Sequence, residues 1–408
     1  MTRFAHTLTL LGTIACHNPP ADVGADAAAT GSNTPDASTT VGPPPPFPCW
    51  ADTAKTQPCV PLVDPGAEHL GMFQRGLYPD GSTTIPPAHL ATGLAQANSI
   101  APLDSAGNPD ATGKYIFITV GFSNQKYEFC GRELVFGDQC DPWTVGGQLY
   151  RDAQSGATDP HLVFFNGAQG GHVVADWDEP GDVSWTAVKN GLAGRGYSEA
   201  QVQVIALQVT HKNASSDTSL RDTLATCAVD ASADACVLVH GYGDILRAAR
   251  THYPNLKMVF FNSRTSGAWT HDTQVPAGNP EPFAFESGLA MKWTVAAQLA
   301  QETGAGIDPL AGNLGYGSSG PAAWIDWSVY NWANANVPRG DSLTWPKTQF
   351  DPDDGIHEVP HNAMPRTCET DASGYTCGEA IAAKPLYDFF TTSQLTRCWI
   401  QNTTASCQ

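Results

Sequence analysis

The chain has 408 residues, 41% of them hydrophobic, enough for one large domain or two small ones around a sizeable core. Lys and Arg number 21 against 40 Asp and Glu, a net charge of −19 that argues against nucleic acid or an anionic lipid surface as a partner of the main body. Charged residues make up only 15% of a chain rich in Gly, Pro and Trp, a composition that points outside the cytoplasm.

Residues 1–16 read MTRFAHTLTLLGTIAC: a basic start at Arg3, a short and mostly apolar run, then small residues before Cys16. That is the architecture of a signal peptide. Its end, Thr13-Ile14-Ala15-Cys16, resembles a bacterial lipobox, which implies cleavage before Cys16 and a lipidated Cys16 as the one link to a membrane. An ordinary signal peptide cleaved nearby is the plainer alternative. Residues 17–48 are dominated by Ala, Asp, Thr, Gly and Pro without apolar periodicity and read as a disordered tether. A stretch from 49 to 112 reads as an N-terminal extension packing on a main domain at 113–408.

Apart from Cys16, the other ten cysteines fall into five neighbouring couples, 49–59, 130–140, 227–236, 368–377 and 398–407. The repeated spacing predicts five local disulfides, each contributing a little under ~3 kcal/mol on the chain-entropy model. Disulfides imply an oxidising compartment, and none of the couples has the CxxC spacing of a zinc or redox site.

From about 113 strands and helices alternate. KYIFITV (114–120), HLVFF (161–165), VQVIALQV (202–209) and LKMVFF (256–261) are continuous apolar strands, and AAWIDWSVY (322–330) is a candidate fifth. Helical stretches lie at 183–194, 236–253, 283–302 and 378–395, the last bent or begun at Pro385. Double-sided apolar strands alternating with helices predict a three-layer α/β/α domain with a mainly parallel central sheet. In such sheets the chemistry sits beyond the carboxyl ends of the strands.

After the first strand comes Gly121-Phe122-Ser123-Asn124, where a serine on a sharp strand-to-helix turn would present its hydroxyl; a plain helix cap is the simpler reading. The second strand leads into Asn166-Gly167-Ala168-Gln169-Gly170-Gly171-His172, either an oxyanion cradle or an ordinary tight turn. Gln208, Thr210, His211 and Asn213 follow the third strand, and Asn262-Ser263-Arg264 the fourth. Near the C-terminus, Asp354 and His357 stand three apart with Gly355 between, so a turn can fold the carboxylate onto one ring nitrogen and leave the other free to take a serine's proton.

Serine after strand one, glycines after strand two and Asp-x-x-His before the last helix resemble the SGNH (GDSL-type) hydrolase superfamily. The phrases GLYPDG (76–81), IAPLDSAG (100–107), VGFSN (120–124), NGAQGG (166–171), YPNLKMVFFNSR (253–264), PEPFAFESGLAMKW (280–293), LTWP (343–346) and DDGIH (353–357) are similar to a bacterial branch of it in which GxSN replaces the usual GDS. The resemblance covers about 70 to 400 and implies a flavodoxin-like SGNH fold. It implies Ser123 as nucleophile and first oxyanion donor, Gly171 (or Gly170) as second donor, His357 as general base and Asp354 as its orienting partner. The asparagine usual after strand three is missing, and Gln208 is its expected substitute. The resemblance implies no metal and no cofactor, and a partner that is an ester-bearing small molecule or a glycan carrying acyl or acetyl groups. A non-catalytic surface module on the same fold is the main alternative.

His357-Glu358-Val359-Pro360-His361 also spells the HExxH of a zinc peptidase. That motif needs a regular helix, and Pro360 inside it costs ~3 kcal/mol there, so His357 is read through Asp354 instead. Glu128, Glu286 and Lys292 lie on helical stretches and read as solvated charges. Trp143, Trp269, Trp324, Trp327, Trp332 and Trp345 are core residues or, on the sharper reading, a platform for sugar rings.

Overall fold

Five apolar runs become five parallel strands, β1 (Tyr115–Gly121), β2 (Leu162–Phe165), β3 (Val202–Gln208), β4 (Met258–Asn262) and β5 (Trp324–Val329), in the order β2-β1-β3-β4-β5. The structure, a computed structural model, describes residues 59–131, 136–211, 218–270, 280–360, 370–371, 374–375 and 377–408. The leader and tether expected at 1–48 lie outside them. The helices are α1 (Pro87–Ala97), α2 (Ser123–Phe129), α3 (Val145–Ser155), α4 (Val183–Ala193), α5 (Leu220–Thr223), α6 (Asp234–His252), α7 (Phe283–Glu302), α8 (Gly378–Thr392) and α9 (Arg397–Ile400).

Every residue of β1 and β3 is buried, and alternate side chains enter two separate cores. Ile116, Ile118, Ile205, Leu207, Val259 and Phe261 face α4, α6 and α7. Phe117, Val204, Ala206, Met258 and Phe260 face α3, α8 and α9, where Phe390 and Trp399 close over Phe117. The three-layer arrangement expected from the apolar runs is therefore present. Leu62, Phe73, Leu77 and Tyr78, ahead of the first strand, join the first of these cores.

The connection from β1 to β2 runs along one face and those from β2 through β5 along the other. Right-handed crossovers put helices on opposite faces when the chain moves in opposite directions along the sheet. The direction reverses between β1 and β3, and the crevice beyond such a switch point is where open α/β sheets hold their ligands.

Three expected disulfides are formed within the described residues: Cys130–Cys140, Cys227–Cys236 and Cys398–Cys407, spanning 10, 9 and 9 positions. Cys59 and Cys377 are also disulfide-bonded, while their expected mates at 49 and 368 lie outside the described residues. Among the described residues no helix is long and apolar enough to cross a membrane.

Several expectations are corrected. Helix α8 starts at Gly378 as expected and runs through Pro385 to Thr392, so only the alternative start at Pro385 falls away. Glu128, Glu286 and Lys292 are buried, not solvated. Their compensation comes from far along the chain: the Lys292 ammonium donates to the carbonyls of Gln74 at 2.7 Å and Arg75 at 2.8 Å, and Glu286 accepts the Leu220 N–H at 2.9 Å. Burial lowers the Lys292 pKa to about 8. Trp324, Trp327, Trp332 and Trp345 are core residues, which removes four of the six rings from any sugar platform.

Candidate active site

Gly121 ends β1 where the backbone comes too close to its neighbour for a side chain. A Cβ there would meet the Gln208 carbonyl oxygen at 2.1 Å. The next N–H, of Phe122, donates to that same carbonyl at 3.3 Å, and the N–H of Gln169 donates to the Gly121 carbonyl at 3.0 Å. The turn is thus tied to β3 and to the loop beyond β2 before Ser123 opens α2. Ser123 thereby presents a half-buried hydroxyl at the rim, at the switch point.

The second segment is a loop folded upon itself. The N–H of Gly355 donates to the Asp351 carbonyl and that of Asp351 to the His357 carbonyl, both at 2.8 Å. Asp354 accepts the N–H of Ile356 at 2.8 Å and of His357 at 3.1 Å on one carboxylate oxygen. Its other oxygen lies 2.6 Å from His357 Nδ1. His357 Nε2 lies 2.6 Å from Ser123 Oγ, across 234 positions of sequence. Hydroxyl, imidazole and carboxylate therefore touch in series, with the Tyr127 ring packed 4.9 Å from the imidazole. Burial opposes the charge on Asp354, but the His357 ring and the two backbone donors outweigh it and hold the carboxyl below its usual range.

Gly355 makes this loop possible. Its φ is +65°, and a Cβ would meet the Trp269 carbonyl oxygen at 1.8 Å. Gly355→Ala should cost more than about 2 kcal/mol, from left-handed strain plus that clash. Urea unfolding of the variant checks it; a loss under about 0.5 kcal/mol would mean that the loop tolerates another path.

The remaining expected residues divide. Gly170 and Gly171 form an exposed turn beyond β2, and their N–H groups, like that of Ser123, have no acceptor among the described residues. Gln208 is not brought to the rim. It is fully buried, and its amide donates to the Ser263 carbonyl at 3.0 Å and toward the Glu128 carboxylate at 3.4 Å. Both amide hydrogens are occupied, so the expectation of Gln208 as third oxyanion donor is corrected. The zinc reading also fails locally: residues 351–360 form turns and a bridge between Phe350 and Glu358, not a helix, and His361 lies outside the described residues.

Beneath the rim lies a buried polar layer that the sequence did not reveal. Asn262 donates to Gln125 at 2.8 Å and Glu128 at 3.1 Å; Glu358 accepts from Thr265 at 2.6 Å and from Asn124 at 3.0 and 3.1 Å. Arg264 is buried close to the Glu281, Glu358 and Glu128 side chains. Burial first, and then the Glu358 charge, pushes the Glu128 carboxyl well up. The amide oxygens of Gln208 and Asn262, whose nitrogens contact Glu128, are buried without a hydrogen-bond partner.

Such a carboxyl keeps its proton in the folded chain at a pH where the unfolded chain has lost it. Stability then falls as pH rises from the usual carboxylate range towards the raised value. Glu128→Gln should flatten that fall. Urea unfolding at about pH 5 and about pH 8 checks it: the variant should lose less stability than the wild type between the two. Equal losses would mean that Glu128 is ionised throughout.

A cavity of about 830 Å³ lies away from these residues; Phe73, Val239, Trp293 and Leu310 are among its lining, and no member of the Ser123–His357–Asp354 series is.

No protein-family model matches the chain, and no curated protein does. Among solved structures, it is similar to a mutant of Axe2, an acetyl-xylooligosaccharide esterase from Geobacillus stearothermophilus, at 14% identity over 47% of this chain and 73% of that one, with a TM-score of 0.26. A lipase/acylhydrolase from Enterococcus faecalis matches at 14% identity over 47% and 71%, TM-score 0.23. A putative GDSL-like lipase from Parabacteroides merdae matches at 13% identity over 50% and 77%, TM-score 0.24.

Proposed function

We propose that this chain is a serine esterase of SGNH type, acting outside the cytoplasm on a neutral ester. The observation that carries the reading is the unbroken series from Ser123 Oγ through the His357 ring to Asp354, with 2.6 Å at each contact. Ser123 attacks the ester carbonyl while His357 Nε2 takes its proton, and Asp354 stabilises the imidazolium that results. The tetrahedral oxyanion is held by the N–H of Ser123 and by that of Gly171, with Gly170 as the alternative. His357 returns the proton to the departing alkoxide, and water repeats the sequence on the acyl-enzyme. No metal or cofactor takes part.

The substrate class proposed is an acetyl or short acyl ester on carbohydrate. A net charge of −19 disfavours polyanions, which supports an uncharged ester. The disulfides support the extracytoplasmic location. Anchoring through a lipidated Cys16 belongs to the same reading, and the mass of the mature N-terminal peptide tests it.

A fluorophosphonate probe tests the chemistry. The expected result is one probe per chain, on Ser123, with hydrolysis unaffected by chelator. Folded protein that takes up no probe would leave the chain a binding module, and loss of activity with chelator would revive the metal reading. A screen of short acyl esters and acetylated sugars then names the substrate.

A further inference from the structure

We propose that Asn124 and Glu358 are positioning residues for the proposed esterase, a buried strut that keeps the His357 ring aimed at Ser123 throughout the catalytic cycle. The inference rests on the serine-esterase reading and goes beyond it.

Each of these residues adjoins a member of the series, and both are fully buried. The Asn124 amide donates to the carbonyl of Ile356 at 2.9 Å, the residue before His357. It also donates to both carboxylate oxygens of Glu358, the residue after His357, at 3.1 and 3.0 Å. One side chain beside the nucleophile thus grips the base loop on both sides of the base. Thr265, beyond β4, donates to Glu358 at 2.6 Å and fixes the carboxylate from a third direction.

The chemistry requires such a grip. The Ser123–His357 hydrogen bond is the one the reaction consumes: once Ser123 carries an acyl group, its oxygen has no proton to share with the ring. Alignment for the second half of the cycle must come from contacts that acylation leaves alone. The Asn124 contacts are of that kind, because they run beneath the rim between groups that never react. A carboxylate suits position 358 better than an amide, since it accepts from Asn124 and Thr265 together and has no hydrogen to direct at either. The glutamate of the HExxH-like string therefore serves as an anchor instead of a metal-site base.

A positioning role differs from a purely structural one in what it slows. With a chromogenic acetate ester, Asn124→Ala should lower kcat about 10- to 100-fold with KM within about threefold, the cost of misaligning a reacting group. Deacylation should suffer at least as much as acylation, so the pre-steady-state burst grows relative to the steady rate. Glu358→Gln, which keeps volume and one acceptor, should recover part of the activity lost in Glu358→Ala. Asn124→Ala with wild-type circular dichroism, wild-type kcat and an unchanged burst overturns the strut. If Asn124→Ala does not fold, Thr265→Val and Glu358→Gln decide: wild-type kcat in both overturns it, and a kcat loss in both with KM held supports it. Wild-type protein that takes no fluorophosphonate fails the esterase reading itself and the strut with it, whereas normal wild-type labelling with unaffected variants fails the strut alone.

Discussion

Ser123→Ala should reduce kcat for a short acyl ester by about 10⁶-fold, close to the loss of the whole catalytic series, because members of such a unit fail together. The fold should survive. Ser123 is half-buried at the start of α2, and its hydroxyl makes its contact with a ring that Asp354 continues to hold. The alanine variant should unfold within a degree or two of the wild type and take up no fluorophosphonate. Residual turnover above about 1% of wild type, with matched unfolding, would move the nucleophile elsewhere.

Asp354→Asn should cost about 10⁴-fold in kcat, through the tautomer rather than through position. The carboxylate accepts the Ile356 and His357 N–H groups on one oxygen and faces Nδ1 with the other. An asparagine would keep its carbonyl on the backbone donors and turn its NH₂ to the ring. Nδ1 then becomes an acceptor, the proton sits on Nε2, and the base presents a hydrogen to Ser123 where it should present a lone pair. The carboxyl also sits below its usual range, so its contribution to stability is complete above that range and disappears as pH falls through the depressed value. The variant should therefore show a shallower acid limb in its unfolding profile. A loss of under tenfold in kcat would show that His357 chooses its tautomer without Asp354.

Strands were legible because both faces of the sheet are covered, so β1, β3 and β4 are written as mostly apolar runs without alternation. Helices α1 and α3 were not. PAHLATGLAQA and VGGQLYRDAQS bury glycines, Gly93 and Gly146 against sheet side chains and Gly147 against the Asp141–Pro142 backbone, and glycine adds no apolar periodicity to read. The Asp354–His357 pair was legible because its geometry is local, one turn three residues long. Gln208 misled for the opposite reason: its place at the end of β3 could be counted, but the direction of its side chain depends on Glu128 and Ser263, 80 and 55 positions away. Comparable distances hid the partners of Lys292 and those of Asn124, whose contacts lie 232 and 234 positions downstream.

Each described cystine with both halves in view closes over nine or ten positions. Partners that near meet often in an unstructured chain, because short loops carry the smallest closure entropy. Oxidation can therefore proceed stretch by stretch, before the sheet has formed. Wrong couplings between distant thiols are rare in such an order of events, and the reduced chain should reoxidise to the correctly bonded protein in good yield without a disulfide isomerase.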